Sequence, residues 1–142
     1  MISGLIIMLF SAFIIIAFIH IESQSMFKQY WKVVNISIDG EEVIDNFSTK
    51  SLTFFDNNKL LLPAHKESKI SLPLKYSQWD YKRRGFFDGI IEIKDFEQSI
   101  FNGVYEVEIL DHSIPKKIKL SSFKVDIYLE GIKGFTLENQ TN

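Results

Sequence analysis

The sequence predicts an all-β protein, a single antiparallel up-and-down barrel or sandwich of about eight or nine strands, preceded by one N-terminal transmembrane helix. Three observations carry that expectation. Beyond residue 29, apolar residues recur at every second position in short runs, the period of a half-buried strand. Turn formers such as Asp39-Gly40, residues 56–58 and Gly131 punctuate the runs at regular intervals, which suits a meander better than βα units. Residues 2–21, ISGLIIMLFSAFIIIAFIHI, carry no charged side chain, and about 20 such residues in a helix cross the roughly 30 Å of a bilayer core.

These observations divide the chain into an anchor (1–22), a short linker (23–29), a β domain (30–138) and a flexible tail (139–142). Of the 142 residues, the β domain over 30–138 takes about 110, enough for one domain with its own core. A formal charge of −2, with basic and acidic residues intermixed, gives no footprint for nucleic acid. The absence of cysteine excludes disulfides, thiolate zinc sites, a thiol nucleophile and a lipid-acceptor cysteine.

The apolar run reads in two ways. A cleaved signal needs a basic n-region and a core of about 7–15 residues, and here no Lys or Arg precedes a longer run. Ser23 and Ser25 nevertheless supply a small-x-small site just after it. A retained single-pass anchor is the preferred reading, with a signal segment as the alternative. Lys28 and Lys32 on the C-terminal flank favour a cytoplasmic domain by the positive-inside rule.

The first strand lies within residues 30–38, with Val34, Ile36 and Ile38 on the core face. SLTFF (51–55) and KLLL (59–62) form a hairpin around Asp56-Asn57-Asn58. Ile70, Leu72, Leu74 and Tyr76 alternate as another strand, which Pro73 places at an edge or bulge. Residues 87–94 follow, with Ile91 and Ile93 inward and Gly89 as a bulge or bend. One helical turn is expected within 95–103, then a strand with Tyr105, Val107 and Ile109 inward, and a return through Ile118 and Leu120. Phe123, Val125, Ile127 and Leu129 give the clearest core face, closed by Gly131, and Phe135 and Leu137 make a last short strand.

The order of these features, a Trp opening the first strand in YWKVVNISI, then SLTFFDNN, then the late pair IKLSSFKVDIYLEG, resembles the small lipocalin-like (calycin) barrels. The resemblance implies an up-and-down barrel whose apolar interior holds a small hydrophobic ligand, in an exported domain.

His20, His65 and His112 are far apart and lack partners at metal-ligand spacing, so no metal is expected. Glu106 and Glu108 share an exposed strand face, and Asp80, Asp88 and Asp95 have no nucleophile or histidine beside them, so no catalytic set and no cofactor are expected. The sequons at Asn35, Asn46 and Asn139 carry no weight, since Asn35 sits in mid-strand.

One stretch stands out. In YSQWDYKRRGFF (76–87), Trp79, Tyr81 and Phe86 interleave with Lys82, Arg83 and Arg84, both arginines of the chain among them. These six are the candidate contacts for an anionic headgroup or a partner's carboxylates, guanidinium forks giving bidentate bonds and aromatics giving rigid apolar area. The competing reading is a segment between strands, with Trp79 plugging the barrel end and its charges solvated.

The expectation for function is therefore a non-catalytic accessory or interaction subunit of a membrane assembly, with the lipid bilayer and other membrane-protein subunits as partners and no nucleic acid. The alternative is a carrier for a lipid or other small apolar ligand at the membrane surface.

Overall fold

The computed structural model describes residues 8–9, 11–12, 14, 25–68, 75–84, 88–95 and 97–136. Outside them lie most of the apolar run, with it the expected transmembrane helix, and also residues 70–74 of the expected third run, Phe86, Phe87 and Leu137. Among the described residues no helix is long and apolar enough to cross a membrane.

The described chain forms β1 (Gln29–Ile38), β2 (Glu41–Glu42), β3 (Ser51–Phe54), β4 (Lys59–Leu61), β5 (Ser77–Arg84), β6 (Asp88–Lys94), β7 (Gly103–Asp111), β8 (Lys117–Ser121) and β9 (Val125–Thr136). From β3 onward each strand pairs antiparallel with the next, β1 pairs with β3, and β1 returns to β9 from Ile38↔Val125 to Gln29↔Thr136. The result is a closed eight-stranded antiparallel barrel, with the short β2 added beside the upper part of β1. Closure removes exposed sheet edges, and it decides for the barrel over the sandwich.

Alternation fills the interior. On β5, Ser77, Trp79 and Tyr81 are buried while Gln78, Asp80 and Lys82 face water. Trp31, Val33 and Ile36 from β1, Ile91 and Ile93 from β6, and Ile127 and Leu129 from β9 join them in one core. Each such side chain contributes about 1.5–3 kcal/mol by leaving water.

Four expectations are corrected. Val34 is not a core residue: β1 advances two residues from Val33 to Asn35 while β9 advances one, from Leu129 to Tyr128. This bulge turns Val34 outward, 51% exposed, and lets Val33 and Ile36 both point in. Phe123 is 96% exposed. The β8–β9 turn, closed by Ser122 N–H to the Val125 carbonyl (2.9 Å) and Val125 N–H to Ser122 Oγ (3.0 Å), lifts it out of the alternation. Gly89 is not a bulge, since the β5–β6 register runs unbroken from Gln78↔Lys94 to Arg84↔Asp88. Its function is clearance, because a β-carbon there would overlap the Tyr81 ring. Finally, β9 continues past Gly131 to Thr136 as one strand.

The barrel has two ends. At the entry end, where the chain arrives, lie the β3–β4, β5–β6 and β7–β8 connections. Phe27 fills this end, its ring 6.0 Å from Phe54 and 5.5 Å from Tyr81, and Trp31 Nε1–H donates to the Phe27 carbonyl at 3.1 Å. At the far end the single helical turn expected between 95 and 103 is a 3-10 turn, Ser99–Phe101, and a second one spans Ile44–Asn46. Phe47 and Phe101 meet there at 5.8 Å, and Tyr105 Oη–H donates to the Phe101 carbonyl at 2.9 Å.

Candidate functional site

The stretch singled out in the sequence is largely a strand, β5, and the pleat separates its residues onto two faces. Trp79 and Tyr81 are inside. The indole Nε1–H of Trp79 donates to the Phe55 carbonyl at 3.2 Å, and its ring packs against Phe54 at 4.7 Å. Tyr81 lies between Phe27 and Gly89. Arg83 follows them on the same face and is half-buried at the entry end. Lys82 and Arg84 are outside, and Phe86 lies outside the described residues.

The outer face is a ladder of charge pairs. Lys82 Nζ meets Glu92 Oε2 at 2.8 Å, Lys94 Nζ reaches Glu92 Oε1 at 3.6 Å, and Arg84 Nη1 lies 3.4 Å from Glu106 Oε1. The hydrogen bond and charge of Glu92 raise the Lys82 pKa above the ordinary lysine value, and the same bond lowers that of Glu92, with Lys94 assisting. The structure thus brings Lys82 and Arg84 together on one surface and Trp79 and Tyr81 together in the core. The buried rings and the outer cations therefore lie on opposite faces of β5. What remains accessible is a basic and acidic strip across β5, β6 and β7.

Other titratable groups have structural partners. Asp95, buried at the far end, accepts from Ser77 Oγ–H (2.9 Å), Glu97 N–H (3.0 Å) and Gln98 N–H (2.7 Å), so it ties β5 to the 95–102 connection. The Tyr105 phenol is pushed up to about 12 by burial. His65 accepts the Glu67 N–H at Nδ1 and packs edge-on against Phe47. His112 is exposed, and His20 lies outside the described residues. Among the described residues there is no group of three His, Cys, Asp or Glu able to hold a metal ion. Asn35 Nδ2 donates to Glu42 Oε1 at 2.8 Å, so this sequon side chain is used within the sheet.

No protein family, characterised protein or solved structure that was compared with the chain matches it.

Sequence periodicity left two features unread. Phe27, in the stretch assigned as linker, is only 1% exposed and belongs to the core. Large apolar side chains also stay in water at both ends: Ile109, which the alternation placed inward but which lies at the open end of β7, with Leu110, Ile114 and Ile132 at the entry end, and Ile100, Val104 and Phe123 at the far end. The signal is that Leu110 lies beside, and Ile114 within, the Asp111–Pro115 turn, where alternation stops.

Proposed function

We propose that the protein is a single-pass membrane-anchored β-barrel, acting as a non-catalytic accessory or interaction subunit of a membrane assembly. One observation carries this reading: the described positions of the apolar run take no part in the barrel. Its described positions, Met8, Leu9, Ser11, Ala12 and Ile14, have helical backbone, and Met8, Leu9 and Ile14 are 76%, 65% and 57% exposed. Among the described residues the buried core starts at Phe27. Uncovered apolar side chains in a stretch of bilayer-spanning length call for lipid around them. The bilayer is then one partner and other membrane subunits the second, with the charged strip across Lys82, Arg84, Glu92 and Glu106 as the surface offered to them.

The lipocalin-like carrier is the weaker reading. Compatible as the eight-stranded ring is with that family's barrel, its interior holds Trp31, Phe54, Trp79 and Tyr105 in contact with aliphatic neighbours, and small barrels filled in this way leave little room for a ligand.

The test is extraction of the full chain from membranes. Carbonate-resistant sedimentation with membranes is expected, and after mild detergent extraction the protein should migrate on a native gel with other membrane proteins. Release by carbonate overturns the anchor, and migration as a lone monomer overturns the assembly role.

A further inference from the structure

We propose that the entry-end rim, formed by Ile109, Leu110, Ile114 and Ile132 with Lys116 and Lys117, docks onto the surface of an anionic phospholipid bilayer, so that the barrel stands end-on on its membrane. The proposal rests on the anchored reading above and adds an orientation and a lipid contact to it.

The position of the rim comes first. Ser25 to Gln29 deliver the chain to this end, where Phe27 is locked among Phe54 and Tyr81. Residues 22–24 are the only slack between the apolar run and that locked segment, and three extended residues reach about 10 Å. In sequence, the apolar run thus stands next to the segment that fills the entry end. Gln29 pairs with Thr136 and places its side-chain amide beside Gly131, whose N–H donates to the Lys116 carbonyl at 2.8 Å. The chain entry, Ile132 and the 112–116 loop are thus neighbours on one side of the rim.

The local geometry turns apolar groups outward there. Between the pairs Ile109↔Ile118 and Asp111↔Lys117, β7 carries one extra residue, Leu110, and this bulge directs it into solvent. Ile114, at the loop tip, is 79% exposed. Burying these aliphatic side chains in the barrel would need a different loop, whereas a headgroup layer accepts them as they stand.

Lys116 and Lys117 follow the apolar tip; Lys117 is paired in register with Asp111 on β7 and with Glu130 on β9, and the Asp111 carboxylate is turned back onto the Ser113 N–H at 2.9 Å, a bond that lowers its pKa. At the neighbouring turn Lys28 pairs with Asp56 at 3.2 Å. Aliphatic tips beside lysines suit an anionic interface, where each lysine contributes roughly fivefold in the docked-to-undocked ratio. Phe123, Ile100 and Val104 sit at the opposite end and cannot share the same plane.

The chain has no cysteine, so single labels can be placed at will. Full-length Ile114→Cys and Phe123→Cys, each carrying an environment-sensitive fluorophore, are reconstituted into phosphatidylcholine vesicles with and without phosphatidylglycerol, some with headgroup spin labels. The expected result is a blue-shifted, quenched label at 114 and an aqueous label at 123. Lys116→Gln with Lys117→Gln should reduce the blue-shifted fraction at 114 in anionic vesicles only. Failure to float with vesicles overturns both the anchor and the rim. Flotation with an aqueous label at 114 overturns the rim alone, as does a shift that rises with protein density per vesicle, which would mean that a second copy covers it.

Discussion

The two ends of the barrel are closed by different means. The far end is sealed by the barrel's own connections: two short 3-10 turns bring Phe47 and Phe101 together, Asp95 holds the start of the Ser99–Phe101 turn, and Tyr105 bonds the Phe101 carbonyl. The entry end is sealed by Phe27, a residue ahead of the first strand, held by ring contacts and by the bond from the Trp31 indole to its carbonyl. Polar capping by Asp95, just ahead of the Ser99–Phe101 turn, makes the far end a self-contained plug. The entry end depends on a segment continuous with the apolar run, so whatever holds that run also bears on the core.

Truncating the two plugs is the strongest way to break this comparison. Phe27→Ala and Phe101→Ala each remove a fully buried ring and should each cost about 3–5 kcal/mol in urea unfolding. Hydrogen exchange separates them. Phe27→Ala should speed exchange at the start of β1 and the end of β3, whereas Phe101→Ala should do so within 95–105. A spread of Phe27→Ala effects into the far end would show that the plugs are not independent.

Gly89→Ala comes next. Strand alanine is intrinsically better than glycine, but the added β-carbon overlaps the Tyr81 ring, and overpacking of this kind costs about 1–3 kcal/mol. In a Tyr81→Leu background the penalty should vanish, and its persistence would place the strain elsewhere than in the ring.

At the far end, Tyr105→Phe should cost about 1 kcal/mol at neutral pH for the lost bond to the Phe101 carbonyl. Its pH dependence is more telling. Burial raises the phenol from 10.0 to about 12, so the unfolded chain ionises first, and stability held at lower pH is lost between those values. Alkaline denaturation followed by circular dichroism should therefore be less steep in Tyr105→Phe. An identical alkaline limb would mean that Tyr105 is not the group responsible.

How much of this was legible in the sequence follows from where alternation holds. Ser51–Phe54, Lys59–Leu61 and Asp88–Lys94 were readable because period and turn residues agree. The strand Ser77–Arg84 was obscured by its composition, since a run of Lys82, Arg83 and Arg84 reads as solvated until the Ser77, Trp79, Tyr81 register is seen against Ile91 and Ile93. At Val34 and Leu110 a bulge adds one residue and reverses the face; no local residue type announces it at Val34, whereas Leu110 stands beside the Asp111–Pro115 turn. Phe27 and the candidate rim are not legible in the sequence for a related reason. Both depend on which loops share an end of the closed barrel, a consequence of closure and not of any single strand.

The smallest effect is expected on the outer strip, where Lys82→Gln tests whether its ion pairs hold the fold or are left for a partner. The pair is exposed, so its loss should leave the neutral-pH unfolding midpoint unchanged. Its pH signature is confined to the flanks. The lowered Glu92 pKa gives a contribution present above the unfolded carboxylate value and lost as pH falls through the folded one, while the raised Lys82 pKa gives one present below the unfolded lysine value and lost as pH rises through the folded one. High salt should erase both flanks, since it shortens the screening length to about 3 Å at 1 M. If Lys82→Gln with Arg84→Gln keeps stability yet loses co-migration with other membrane proteins, the strip is an interaction surface. If it destabilises the barrel as much as Gly89→Ala does, the cations belong to the scaffold, and the partner-binding surface must be sought at the ends.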